Sequence, residues 1–346
     1  MMNWRDWIKK RISSATAKDG EDGVALVAVL VVIFSAGMVL AVVMAMSQRL
    51  TIEMHGQLQL QRSIYTLEGA ANRIVFLLAA DRSVYPDSTP GDIDYSEYET
   101  DRYMSDAVEH TIDYYGTEIK FAIYDAVSGS DFSENGYSDS FTMLKAAELE
   151  ESEYTELVDR VEAQVTDYID SNDDLSTDGA EYAEYEENDM SPLPRNGPIQ
   201  FREELAWIPE FSTLLGADAD GRYTACRLIP PYDMDNLTGT PNFFTASPLL
   251  IEQYCNFDDD SYVQEVLEAR QKWITERESL SDQLDVDVYN SIRENFSWEE
   301  SGYYTVVIRD GSGPNRPSRR LSFSFPAIEI GGADDGVITY LEWFWF

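Results

Sequence analysis

The chain has 346 residues, a formal net charge of −39 and a sequence pI near 4.1. Hydrophobic residues make up 44% and aromatics 12%, too many for a disordered acidic tail, so a sizeable core is expected. The charge argues against nucleic-acid phosphates as a partner and for solvated faces or divalent cations.

Chain order begins with a basic segment carrying Arg5, Lys9, Lys10, Arg11 and Lys18. Gly23 follows, and then VALVAVLVVIFSAGMVLAVVMAM over residues 24–46, with no charge. At about 1.5 Å per residue such a helix spans the roughly 30 Å hydrocarbon core of a bilayer. The basic flank keeps the amino terminus in the cytoplasm, so the rest of the chain is expected to be exported. A secretory signal has an apolar region of about 7–15 residues and a small-residue cleavage site after it. Here the run is longer and the glycine stands before it. From Ser47 the helix continues. Leu50, Met54, Leu58, Tyr65, Ala70, Ile74, Leu77 and Leu78 recur at helical steps and predict an apolar stripe.

About 265 residues follow, enough for one large or two smaller domains. Residues 83–106 are polar, with Pro86, Pro90 and Gly91, and read as a loop. Val108, His110, Ile112 and Tyr114 alternate, as do Ile119, Phe121 and Ile123, with Gly116 between. This predicts a β-hairpin whose inner face lies on the long helix. Asp131–Tyr137 reads as a turn region, and residues 142–169 have a helical pattern. The middle, residues 150–290, has helix signals broken by many prolines, among them Pro192, Pro209, Pro230 and Pro248. Strand signal returns in GYYTVVIRD, RRLSFSFPAIEI and VITYLEWFWF. The order predicts an α+β fold in which a large helical domain is inserted between two halves of one antiparallel sheet.

Cys226 and Cys255 both fall in the exported part, where one disulfide is permitted; two unpaired buried thiols are the alternative. No C-x-x-C, G-x-S-x-G, H-E-x-x-H or P-loop occurs, and the only histidines are His55 and His110, so no catalytic constellation is expected. The acidic run D-S-N-D-D-L-S-T-D-G-A-E begins at Asp170. Asp170, Asn172, Asp174, Ser176, Asp178 and Glu181 stand at the ligand positions of a calcium loop. Leu175 stands where the sharp turn of an EF-hand needs glycine. The run therefore reads as an EF-hand, as calcium ligands (Asp170, Asn172, Asp174, Asp178, Glu181) in another geometry, or as a solvated turn. Asp233/Asp235 and Asp258/Asp259/Asp260 are secondary candidates.

The leader ending in Gly23 ahead of a charge-free helix resembles the amino terminus of type IV pilin-like proteins. Their leader is cut by prepilin peptidase, here between Gly23 and Val24. Most have Glu as the fifth mature residue; this chain has Ala28. With that departure, the chain resembles the type II secretion minor pseudopilin called general secretion pathway protein K. Asp167-Tyr168-Ile169-Asp170-Ser171-Asn172-Asp173-Asp174 followed by Gly179-Ala180-Glu181 is similar to that family's acidic signature. Trp207-Ile208-Pro209 and Phe244-Thr245-Ala246-Ser247-Pro248-Leu249-Leu250 are similar to later segments, the latter opening a helix-hairpin-helix-like unit that lacks the glycines and basic residues of DNA contact.

The resemblance implies a pilin-like long helix packed on an antiparallel sheet, bound metal, and a place at the tip of a short periplasmic pseudopilus. It divides the chain into a leader (1–23), a transmembrane helix (24–46), its periplasmic continuation (47–82), a first α/β part (83–149), an inserted helical domain (150–290) and a second sheet part (291–346). Implied partners are other minor pseudopilins, the major pseudopilin, prepilin peptidase and the inner membrane. A signal-anchored periplasmic calcium-binding enzyme and a type IV pilus minor pilin are the rival readings.

Overall fold

The computed structural model describes residues 4–84, 102–129, 151–187, 194–215, 223, 226–227, 240–255, 260–276, 278–311, 319–327 and 338–345, with side chains in the first helix from Leu26 onward. The turn region expected at Asp131–Tyr137 and the acidic residues Asp233, Asp235, Asp258 and Asp259 lie outside them. The chain divides into two units, Met1–Arg62 and Ser63–Phe346.

Helix α1, Trp4–Val84, is continuous through the apolar run and beyond it. In the first unit its apolar side chains are exposed, Leu30, Ile33 and Phe34 among them. The segment Leu26–Val84 is long and apolar enough to cross a membrane, with a hydropathy of 3.0 in its most apolar stretch. Leu50, Met54 and Leu58, expected on a packed stripe, are exposed here.

In the second unit α1 is buried along Leu67, Ala70, Ala71, Ile74, Val75 and Leu78. Steps of three and four residues place these on one face. Tyr65, also expected on the stripe, is 72% exposed. At 100° per residue it points away from the Leu67–Leu78 face, so the packed stripe is shorter and differently centred than the sequence suggests. Gly69 lets the Tyr114 hydroxyl close against the helix; a Cβ there would collide with it.

Five strands form one antiparallel sheet in the order β1 (His110–Tyr114), β2 (Thr117–Asp125), β3 (Tyr303–Asp310), β4 (Arg320–Pro326) and β5 (Glu342–Trp345). The expected hairpin forms. Tyr115 and Gly116 both adopt positive φ, 50° and 80°, as a tight turn between right-twisted strands requires. Alternate residues line the inner face: Ile119, Phe121 and Ile123 on β2, Val306 and Ile308 on β3, Leu321, Phe323 and Phe325 on β4. They share one core with α1. At the end of α1, Arg102 bonds Asp81 at 2.8 Å, and Arg82 donates to the Tyr304 hydroxyl at 3.1 Å.

Between β2 and β3 lies a helical block: α2 (Glu151–Ile169), α3 (Tyr182–Glu187), a 3₁₀ turn (Arg202–Trp207), α4 (Phe211–Leu214), α5 (Pro248–Cys255), α6 (Asp260–Glu276), α7 (Leu280–Gln283) and α8 (Val286–Asn295). Most are short, and Pro248 opens α5, where its missing N–H costs nothing. The block has its own core around Val161, Val165, Phe211, Phe244, Val266 and Trp273. That core runs on through Phe296 and Trp298, past residue 290.

The block meets the back face of the sheet through polar groups. Arg202, fully buried, donates to Glu342 of β5 at 2.7 Å and to the Thr305 hydroxyl of β3 at 2.9 Å. Ser324 of β4 donates to the same Glu342 at 2.7 Å. Ser128 donates to the Asn242 carbonyl at 2.7 Å.

Candidate metal centre

Helix α2 is amphipathic, with Leu157, Val158, Val161, Val165 and Tyr168 facing the block's core. Asp167, in the last turn, lies off that stripe, yet the structure buries it completely beneath the loop that follows, where the Ser176 amide donates to its Oδ2 at 3.2 Å. Asp170 follows three residues later, on the same side. No basic residue stands in that last turn. Two carboxylates therefore sit at the negative end of the helix dipole, where a cation is the favoured neighbour.

The chain then loops through residues 171–180 and returns at Glu181, just ahead of α3. The Glu181 amide donates to Glu184 Oε2 at 3.1 Å, while the Glu184 and Tyr185 amides donate to the Glu181 carbonyl. The Glu184 side chain thus caps the helix start, and the Glu181 carboxylate takes no part in the cap and is left to point inward. Asp167, Asp170 and Glu181 bring one carboxylate oxygen each to within 4.8 Å of one another.

Asp167 Oδ1 and both Glu181 carboxylate oxygens are buried without a hydrogen-bond partner among the described residues. Burial, with Asp167, Asp170, Asp173 and Glu184 around it, pushes the Glu181 carboxyl up to about 7. Buried carboxylates left without donors and crowded by their own kind are relieved by a cation. All the donors are hard oxygens, which suits calcium. Gly179 completes the cradle, because a Cβ there would collide with the Asp167 carboxylate.

Of the ligands expected from sequence, Asp170 and Glu181 come together. Asn172 is engaged otherwise: its amide donates to Asp170 Oδ2 at 2.8 Å and its Oδ1 accepts the Asp174 amide at 2.7 Å. Asp174 and Asp178 are exposed and lie outside the cluster. Leu175 is exposed as well, and the loop is not that of an EF-hand wrapping one centre. Instead it is pinned from outside. Asn196 donates to the Asn172 carbonyl and to Asp173, and its own amide donates to the Tyr168 carbonyl at 3.0 Å. Asp167 was missed by reading the loop alone. Its signal was the D-x-x-D spacing across the helix end.

Cys226 and Cys255 are free thiols. Cys226 is fully buried, and desolvation pushes its thiol far up; burial also raises Cys255. Gly23 and Val24 lie within α1. Among the described residues, the three-carboxylate cluster is the only group of His, Cys, Asp or Glu side chains with metal-holding spacing.

Residues 133–218 match the family described as type II secretion system protein K, first domain. The matched span includes α2, the acidic loop, α3 and the 3₁₀ turn. No curated protein matches the sequence. Among solved structures, the chain is similar to one in the crystal structure of the GspK-GspI-GspJ complex of the enterotoxigenic Escherichia coli type 2 secretion system. Identity is 12% and the TM-score 0.45, over 85% of this chain and 99% of that one. Residues 133–218, with the acidic loop and the helices around it, thus carry the signature of the first domain of type II secretion system protein K.

Proposed function

We propose that the chain works as an assembly subunit at the tip of a periplasmic pseudopilus, and that its helical block is stabilised there by calcium. The match of residues 133–218 to protein K carries this reading. The exposed apolar length of α1 supports it, because such a helix needs lipid or other helices around it. Ala25, Ala28, Ala36, Gly37 and Ala41 give that helix small residues for close approach. The assembly step is non-covalent. Membrane helices pack, and the head joins other minor pseudopilins and the major pseudopilin. Ala28 in place of Glu suits a subunit with nothing stacked above it.

Prepilin peptidase would act first, between Gly23 and Val24. Amino-terminal sequencing of membrane-extracted protein should start at Val24, and Gly23→Val should leave the leader attached and abolish assembly. A mature chain starting at Met1 or beyond residue 46 contradicts the reading.

Calcium would be held by Asp167, Asp170 and Glu181, with water or loop oxygens filling the remaining positions. A ligand bound only by the folded state stabilises it by about 2.7 kcal/mol at a hundredfold excess over Kd. Chelator should therefore lower the melting temperature of the full chain in neutral detergent, and calcium should restore it. Asp167→Asn with Glu181→Gln should remove the response. An identical melting curve in chelator and in calcium leaves the cluster without a metal role.

A further inference from the structure

The back face of the sheet carries a second charged feature. Lys120 on β2 stands directly opposite Arg309 on β3, which stands directly opposite Arg320 on β4. Arg319, exposed, precedes Arg320. With alternation Lys120, Arg309 and Arg320 share a face with Tyr124, Thr305 and Ser324, four residues further along the strands, where Arg202 of the helical block docks. The ladder thus lies about 14 Å along the strands from that seam. Arg309 is exposed, Lys120 and Arg320 are half-buried, and all three line one shallow concavity.

Like charges directly opposite one another on a sheet are destabilising. Glu109 bridges Lys120 and Arg309. It accepts from Lys120 Nζ at 2.8 Å and pairs with Arg309. These contacts, the Lys120 bond first, hold its carboxyl below the usual range. Glu118 lies at the open end, beside Gly311. The ladder draws on three of only 25 basic residues in a chain of net charge −39.

We propose that this ladder docks an acidic peptide segment of a partner protein. Adjacent strands are about 4.8 Å apart, so the three cations span roughly 10 Å in a line. Carboxylates spaced along a peptide match a line of cations; a phosphate group needs donors converging on one point.

The test uses the full chain in neutral detergent and a ten-residue oligoglutamate as the probe, at about 0.1 M salt, where distant charges are screened beyond about 10 Å. The parent should bind weakly and saturably and lose the peptide at about 1 M salt. Lys120→Gln with Arg309→Gln and Arg320→Gln should weaken binding about tenfold, the most that a few exposed pairs supply. Glu109→Gln should tighten it by about two- to threefold, since it removes the built-in competitor. The triple variant's melting curve is the control for folding, and the Glu109 variant decides the matter if the triple does not fold. Failure of the parent to bind, equal binding by the triple variant, or weaker binding by Glu109→Gln overturns the proposal. So does ladder-dependent binding to inorganic phosphate or to phosphatidylglycerol vesicles without any to oligoglutamate.

Discussion

The two faces of the sheet are built on opposite principles. The inner face is apolar on every strand, and α1 closes it with small residues, Ala70 and Ala71, that let helix and sheet approach. The back face is polar where the helical block meets it: Thr305, Ser322, Ser324 and Glu342 are all buried there. Apolar burial is non-directional, so the inner face tolerates modest shifts in how the helix lies. A buried ion pair is directional and holds only at good geometry. Arg202 therefore fixes where the block sits, because Glu342, Thr305 and the Cys226 carbonyl bond its guanidinium from three sides.

Removing one partner from each face separates the two principles. Phe323 is fully buried on the inner face. Phe323→Ala should cost about 3–5 kcal/mol in denaturant unfolding, the transfer term plus the cavity left behind. No second substitution on that face should recover it. On the back face, Glu342→Gln keeps side-chain oxygen and shape but removes the carboxylate that pairs directly with Arg202, leaving it only the charge of Glu203; the loss should be about 2–3 kcal/mol. Here a second substitution should recover most of it. Arg202→Met combined with Glu342→Leu replaces the pair by apolar groups, and such exchanges are often close to neutral. If the double variant is as unstable as the single, the seam is held by its hydrogen-bond network rather than by charge compensation.

The inner face was legible in the sequence, because the period-two alternation of Ile119, Phe121 and Ile123 and the helical steps of Ala70, Ile74 and Leu78 each report a buried face directly. The back face was not. Arg202 and Glu342 are charged residues 140 apart, and no local pattern distinguishes a buried pair from two solvated charges. The stripe on α1 was legible in period but not in extent. Leu50, Met54 and Leu58 continue the helical rhythm into a stretch that the sheet does not cover. The acidic loop was half legible. Calcium-loop spacing pointed to Asp170 and Glu181, while Asp167 comes from the preceding helix, off its apolar stripe, and is buried only by the loop that folds back over it at Ser176 and Gly179.

The smallest effect tests the part of the inner face that the sequence marked most plainly, the turn that sets its register. Tyr115 and Gly116 sit at φ 50° and 80°, and the Gly116 amide donates to Asp113 Oδ1 at 3.2 Å. Glycine adopts that backbone freely; a residue with a Cβ pays roughly 1–2 kcal/mol in the left-handed region. Space is not the obstacle, since nothing lies within 4 Å of a Cβ at Gly116. Gly116→Ala should therefore cost about 1 kcal/mol through backbone conformation alone. Tyr115 is 90% exposed, so its ring contributes little burial. Asparagine tolerates the left-handed region better than tyrosine, so Tyr115→Asn should gain a few tenths of a kcal/mol, about 0.5 at most. Opposite signs at two adjacent positions would show that the hairpin is specified by turn geometry. Equal losses at both would instead give the Tyr114–Tyr115 ring contact, with centroids 4.8 Å apart, the larger part in holding the turn.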